Sequence, residues 1–364
     1  MRPVVQAALR IARLLLGMGC LAAFIFISIG VSSAFAGKSL YIGANDPGPG
    51  VEEFTAAQLK AGGVGAPTVV SNQGTTNAIG VAFDKQKNLW VTTLDQTLLE
   101  FTHKQLIALS KSPNPIPAIN TGSSAFKDIL GCVFDKQGNL WVVDAEIDGI
   151  HEITKATLKT LTGSTLNVST AVDLGDSTDL GSPAYATFDK KGNLWMSSIG
   201  ANKLVMFTPS QIATSNSALT GTVVISSTSL IGPGQMAFDK KGTLWVANTG
   251  IISDAVILKQ GNILGFTKDQ LTASGSPTPN IVISSATLSD NTQSLDVPWG
   301  MTFDGSGNLW VNNYTDGEFP DTNSAWITEF SKKSLKISGA PIPATELTGT
   351  ARYSAQLVFG PPTK

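Results

Sequence analysis

Hydrophobic and polar positions along this chain follow a unit that returns about every fifty residues. A short apolar run such as Gly80-Val81-Ala82-Phe83 is followed by Asp, two polar residues, Gly and Asn, and then by Leu-Trp-Val. The string F-D-x-x-G-N-L-W-V stands at Phe83–Val91, Phe134–Val142, Phe188–Met196, Phe238–Val246 and Phe303–Val311, at spacings of 51, 54, 50 and 65 residues. An apolar run that enters a polar turn and leaves through aliphatic and aromatic residues predicts a β-hairpin. The Asp carboxylate bonds backbone N–H groups of the turn and Gly takes the φ > 0 position. Lys87 replaces that Gly in the first copy, and Thr243 replaces Asn in the fourth. The aspartates read as turn caps rather than metal ligands, because every copy has one.

A second motif, E-F-T-x-x-Q-L, follows. It is carried by Glu53-Phe54-Thr55 with Gln58, Glu100-Phe101-Thr102 with Gln105, Phe207-Thr208 with Gln211, and Phe266-Thr267 with Gln270. Degenerate copies are Glu152-Ile153-Thr154 and Glu329-Phe330-Ser331. A third strand ends at Phe, Thr N-caps a helical turn and Gln closes a capping box. Pro209 stands where a helix accepts proline. A Pro-rich loop and a fourth apolar run, such as Ile281-Val282-Ile283, complete the unit. Four short strands, A to D, repeated at this period predict an all-β fold, a β-propeller.

The capping motif occurs once more than the hairpin motif. Leu40-Tyr41-Ile42 resembles an outgoing strand B, and Glu53-Phe54-Thr55 supplies strand C, so the first blade lacks strand A. Gln356-Leu357-Val358-Phe359-Gly360 resembles an incoming strand A with nothing after it. The expectation is a six-bladed propeller of four-stranded blades, closed by pairing of the N- and C-terminal strands. Closure removes the open sheet edges of a linear stack.

The N-terminus departs from this pattern. Arg2, Arg10 and Arg13 precede an apolar run from Leu14 to Val31, and Ala34-Phe35-Ala36 fits a small-x-small cleavage site. This reads as a signal peptide over residues 1–36, cleaved after Ala36, with the propeller over 37–364. The alternative is a retained anchor, since the run approaches bilayer-spanning length. Cleavage removes three arginines and no acid, taking the formal net charge from −2 to −5. It also removes Cys20, so Cys132 is left without an intrachain partner, and the default for it is a buried, inert thiol. The expected location is secreted or periplasmic, with no stable membrane insertion after cleavage.

Composition narrows the class further. Charged residues make up 14% of the chain, against about 25% in average soluble proteins. A mean hydropathy of +0.13 argues against a multi-span membrane protein. The small net charge gives no drive toward nucleic acid.

The repeat string resembles the signature hairpin of secreted bacterial NHL-repeat propellers, within the gluconolactonase- and streptogramin-lyase-like superfamily. The resemblance covers roughly residues 38 to 361 and speaks to fold, because the motif is the scaffold itself. It implies that function sits on the face built by the D–A and B–C loops. Gluconolactonase-like members hold a divalent metal just before the start of strand A, and the positions here are Ile79, Leu130, Ala184, Gly234, Trp299 and Ala355. None offers a side-chain oxygen, whereas hard cations need several. Streptogramin-lyase-like members use a histidine base, and this chain has two histidines. His103 falls in a capping-box turn and reads as a surface residue; His151 falls at the start of strand C and reads as a strand residue. No catalytic residue, metal site or cofactor is assigned.

Strand B ends in Thr93, Asp144, Ser198, Asn248 and Asn313, a ring of small polar groups near the channel mouth. The longest loop is read from Asn312 to Ala325 and contains Tyr314 and Asp316. Trp299 and Tyr185 depart from smaller residues at their repeat positions; each would stack on a ligand or plug the channel. The ligand-binding candidates are Asp144, Tyr185, Asn248, Trp299, Asn312, Asn313, Tyr314 and Asp316. The expected function is a monomeric, exported, non-catalytic binding or scaffold propeller presenting this face to a protein, glycan or small molecule. The alternative is a lyase or lactone hydrolase of the same superfamily.

Overall fold

The computed structural model describes residues 38–45, 50–75, 77–164, 167–175, 179–253, 256–259, 261–288, 293–314, 325–350 and 353–363. The segment read as a signal peptide lies outside them. The described strands form a six-bladed β-propeller of antiparallel sheets. The second blade runs Ala78–Phe83, Leu89–Thr93, Thr97–Phe101 and Ile119–Gly122 as strands A to D. The third runs Ile129–Phe134, Leu140–Asp144, Gly149–Ile153 and Val172–Gly175. The fourth has Pro183–Phe188, Leu194–Ser198, Lys203–Phe207 and Val223–Ile225, and the fifth Pro233–Phe238, Leu244–Asn248, Asn262–Phe266 and Ile281–Ile283. The sixth has Val297–Phe303, Leu309–Tyr314, Ala325–Phe330 and Thr345–Thr350.

The first blade is composite. Ser39–Asn45, Gly50–Phe54 and Thr68–Ser71 supply strands B, C and D, and the C-terminal Tyr353–Gly360 supplies strand A. Leu40 pairs with Phe359 and Ile42 with Leu357, in the register that joins A and B within other blades. The ring is therefore closed by strand pairing between the two ends of the propeller.

The core is a set of layers between blades. Among the described residues six buried apolar clusters occur, and each draws on two neighbouring blades. The motif supplies both halves of each layer, since the Trp of one blade meets the Phe of the next edge-on. Trp90–Phe134 ring centroids lie 6.4 Å apart and Trp310–Phe359 also 6.4 Å, the latter across the closure. Tyr41–Phe83, at 4.9 Å, fills the same role from the first blade. Edge-on pairs of this kind contribute about 0.5–1.5 kcal/mol beyond area burial.

The two motifs are chemically joined, which explains why they recur together. Asp135 Oδ1 accepts the backbone N–H groups of Gly138 and Asn139, and Oδ2 accepts from Asn139 Nδ2 and Trp141 Nε1. Asn139 Nδ2 also donates to Glu152 of the second motif, while its Oδ1 accepts the N–H of Lys155 at the helix start. Asp304, Asn308, Glu329 and Lys332 repeat the arrangement. In the fourth blade Pro209 has no N–H to offer, and in the fifth Gly265 replaces the Glu where Thr243 replaces the Asn. The motif Gly positions have φ near +90°, and Lys87 adopts φ 69° in their place. Full capping boxes form at Thr55/Gln58, Thr102/Gln105 and Thr267/Gln270.

The outer strand D of the second to sixth blades is paired by the next blade. Ile119 bridges Gly163, Leu174 bridges Asn216, Ile225 bridges Gly275 and Ile283 bridges Gly339, all in parallel. At the closure Gly63–Val64 adds a short parallel strand to the sixth blade. These contacts blunt edges that would otherwise recruit other chains.

Two local expectations are corrected, and one further element is found. Strand B of the sixth blade runs to Tyr314, so Asn312 and Asn313 are buried strand residues rather than loop residues. His151 lies in the middle of strand C, not at its start. The stretch after Asn248 forms a hairpin, Ile251–Ser253 with Val256–Lys259, where the second, third and fourth blades have a short connection.

Candidate functional site

Strand B rises toward the D–A and B–C loops, and in four blades a polar residue at or next to its end meets the D–A loop of its own blade. Asp144 accepts the N–H groups of Lys127 at 2.7 Å and Asp128 at 3.0 Å. Ser198 Oγ accepts from Gly181 N–H at 2.8 Å. Asn248 Oδ1 accepts from Ile231 N–H at 2.6 Å, and its Nδ2 donates to Ser229 O and Asn262 Oδ1. Asn313 Oδ1 accepts from Asp296 N–H at 3.3 Å. Thr93 differs, its hydroxyl pairing with that of Thr97. Four of the five members of the polar ring read from the repeat are thus buried latches on the D–A loops.

The channel is crossed just beneath. Each strand A carries a register shift where it enters its sheet, around Ile79, Leu130, Ala184, Gly234, Trp299 and Ala355, the positions that the resemblance to gluconolactonase-like propellers marks for a metal. The residues there do not fit a hard cation, because none bears a side-chain oxygen. Among the described residues, no group of three or more His, Cys, Asp or Glu side chains is arranged for a metal.

The next position in each strand A is Gly80, Gly131, Tyr185, Gln235, Gly300 or Gln356. Small and large residues share the space: a Cβ on Gly131 would come within 2.4 Å of the Tyr185 ring. Trp299 Nε1 donates to Tyr185 Oη at 2.6 Å, joining the fourth and sixth blades, and their rings meet edge-on. Tyr185 is fully buried, and burial raises its phenol pKa well above the ordinary value. Asn312 Oδ1 accepts from Gly300 N–H.

The two glutamines tie blades together. Gln356 Oε1 accepts Val81 N–H and Cys132 N–H, both at 3.1 Å, and Nε2 donates to Cys132 O. Gln235 Oε1 accepts Met301 N–H at 2.8 Å and Leu357 N–H at 3.0 Å. Gln356→Leu would leave two backbone donors unpaired and is expected to lower stability by about 2 kcal/mol. A urea midpoint equal to that of the parent would disprove the tie. The Cys132 thiol beside it is buried, which pushes its pKa up to about 12 and leaves it unreactive.

A buried charged constellation on this side lies in the third blade. His151 Nδ1 is 2.7 Å from Asp173 Oδ1, and Nε2 is 3.1 Å from Asp144 Oδ2. The other five blades place Leu99, Val205, Leu264, Thr328 and Glu52 at the His151 register position. Burial opposes the charged ring, but hydrogen bonds and charge from Asp144 and Asp173 outweigh it, so the His151 pKa is raised. Burial likewise opposes ionised Asp144, and the bonds from His151, Lys127 and Asp128 outweigh it, so that pKa is lowered. Asp128 nearby is raised by burial and then by the charges of Asp144 and Glu146. Both shifts favour the charged forms of the pair, with the imidazole between two carboxylates. His103, the other histidine, is only half-buried and starts a helix on the opposite face.

The sequence candidates divide accordingly. Tyr185 and Trp299 meet in the channel, and Asn312 braces the same strand as Trp299. Asp144, Asn248 and Asn313 belong to separate blades and latch separate loops. Tyr314 is placed as backbone at the end of its strand, and Asp316 lies outside the described residues. His151 and Asp173 were not among the candidates. The signal that finds them is a lone ionisable pair at a register position that is mostly apolar in other repeats.

No protein-family profile and no curated protein matches the sequence. Among solved structures, the chain is similar to a protein of unknown function from Bacteroides caccae, at TM-score 0.53 and 11% identity over 89% of this chain and 98% of that one. It is similar to the nidogen/laminin complex at TM-score 0.54 and 13% identity, over 90% of this chain and 100% of that one. Virginiamycin B lyase from Staphylococcus aureus matches at TM-score 0.42 and 14% identity, over 75% of this chain and 78% of that one. At these identities the likeness is one of fold.

Proposed function

We propose that this protein is an exported, non-catalytic binding propeller that engages a protein, glycan or small molecule through its D–A and B–C loop face. Residues 1–36 are its signal peptide, residues 37–364 are one domain, and the domain acts as a monomer. The observation that supports this most is the state of His151: both ring nitrogens face carboxylates, and 2% of the residue is exposed. A base must reach the proton it removes, and this ring is held away from any ligand on the surface. The same face carries the extra hairpin Ile251–Lys259 on a rigid scaffold, where binding segments are usually placed.

The test replaces Ile251–Lys259 by the short Thr93–Thr97 type of connection and screens parent and variant against immobilised glycans and purified envelope proteins. The expected result is an unchanged melting temperature and at least tenfold weaker binding of whichever probe the parent retains. Turnover of virginiamycin B that disappears in His151→Gln would establish the lyase alternative instead.

A further inference from the structure

The opposite end of the central channel has a different character. Below Gln235 and Gln356 the channel widens into a cavity of about 440 Å³ to which all six A strands contribute. That volume lies within the roughly 300–1,000 Å³ of small-molecule pockets. Its walls include Ala82, Val133, Thr187, Ala237, Thr302 and Val358, with the motif phenylalanines toward the mouth. The two glutamines, with Tyr185 and Trp299 beyond them, close the inner end.

The mouth is ringed by cations. The residue after the motif Asp is Lys85, Lys136, Lys190 or Lys240 in four consecutive blades, and all four are exposed. Each ammonium donates to the backbone carbonyl of the equivalent residue in the next blade: Lys85 to Lys136, Lys136 to Lys190, Lys190 to Lys240 at 2.7 Å, and Lys240 to Gly305 at 2.9 Å. This holds the four groups around the opening in one rotational sense. An ammonium has three protons, so each keeps donors for a further acceptor. The adjacent carboxylates of Asp84, Asp135, Asp189 and Asp239 are turned into their own hairpins, where they accept turn N–H groups. A cleft with low-dielectric walls and one sign of charge at its rim concentrates counter-ions.

We propose that this end of the channel binds an amphipathic anion, a single aliphatic chain with an anionic head, the chain entering the cavity along its aliphatic and aromatic side chains and the head resting among Lys85, Lys136, Lys190 and Lys240. The site is at the far end of the channel from the loop face, and it stands or falls separately from the binding function placed there.

Titration calorimetry with decanoate at low salt tests it, with decanol and acetate as the uncharged and chainless comparisons. The expected result is one saturable decanoate site, at least tenfold weaker binding of decanol, and no measurable acetate binding. The K85Q/K136Q/K190Q/K240Q variant, changed only at exposed positions, should bind decanoate at least tenfold more weakly, with the difference shrinking at high salt. Thr302→Trp, which fills the cavity, should abolish binding, while replacing Ile251–Lys259 should leave it unchanged. No saturable binding to the parent, equal affinity for decanol, or unchanged affinity in the lysine variant would each overturn the proposal.

Discussion

A chain ended at Tyr353 will show no cooperative thermal transition. The eleven missing residues include most of the innermost strand of the first blade, and that strand closes the ring. Its loss removes Leu357 from the interface of the first and sixth blades and Phe359 from Trp310. It also removes Gln356 from the N–H groups of the second and third blades. Burial of each large apolar side chain contributes about 1.5–3 kcal/mol, and total stability is only about 5–15 kcal/mol. Losing these side chains with the hydrogen bonds of a whole strand exhausts that margin.

Far-ultraviolet circular dichroism during heating reads the outcome. A sharp transition within a few degrees of the parent would show that the other blades hold without closure. Position in the chain is not what counts, so a permuted chain gives the complementary result. Joining Phe359 to Leu40 through an Asp-Lys-Gln-Gly-Asn turn, with the new ends after Thr350, rebuilds a first blade in the order A, B, C, D. It should regain a cooperative transition.

Much of this architecture was legible because repetition turns one sequence into several aligned ones. The hairpin string exposed strands A and B, the Thr/Gln box exposed the end of C, and the unequal number of copies exposed the closure. What stayed hidden depends on contacts outside the repeated string. The parallel bridges from Gly163, Asn216, Gly275 and Gly339 are made by the backbone of one loop residue each, through two hydrogen bonds, and these residues lie outside both motifs. The hairpin Ile251–Lys259 lies in one blade alone, so no second copy marked it as strand.

The channel and its surroundings were legible in residue type but not in role. Trp299 and Tyr185 stood out as large residues among small ones, yet sequence spacing did not reveal that one donates to the other. The polar ring at the end of strand B was visible, but a polar side chain beside a mouth and one latching a loop look the same in sequence. Asp144 is the case where this matters, because its partners come from three other segments: the D–A loop, strand C through His151, and strand D through Asp173 behind it.

That constellation carries the second large effect, a loss of stability at alkaline pH that His151→Gln removes. The His151 pKa is raised in the folded chain, so its contribution is complete below the ordinary imidazole value of about 6.5. It is lost as pH rises through the folded value. The Asp144 pKa is lowered, so its contribution is complete above about 3.9 and lost as pH falls through its folded value. The clasp is strongest between those limits, near pH 5–6 by these reference values. Breaking a buried pair by removing one partner costs about 3–5 kcal/mol, because the other charge stays buried. Asp144 keeps three backbone donors, from Lys127, Asp128 and Glu146, which places His151→Gln toward the lower figure. Asp173 is 49% exposed at its side chain, so Asp173→Asn should cost less than about 1 kcal/mol. In urea titrations the gap between parent and His151→Gln should be widest near pH 6 and close as the pH rises through the folded His151 value. Parallel stability curves from pH 5 to 9 would show that the ring is neutral and the clasp is packing alone. Because Asp144 holds the N–H groups of Lys127 and Asp128, the alkaline loss should appear first as faster amide exchange in that D–A loop, on the face assigned to binding.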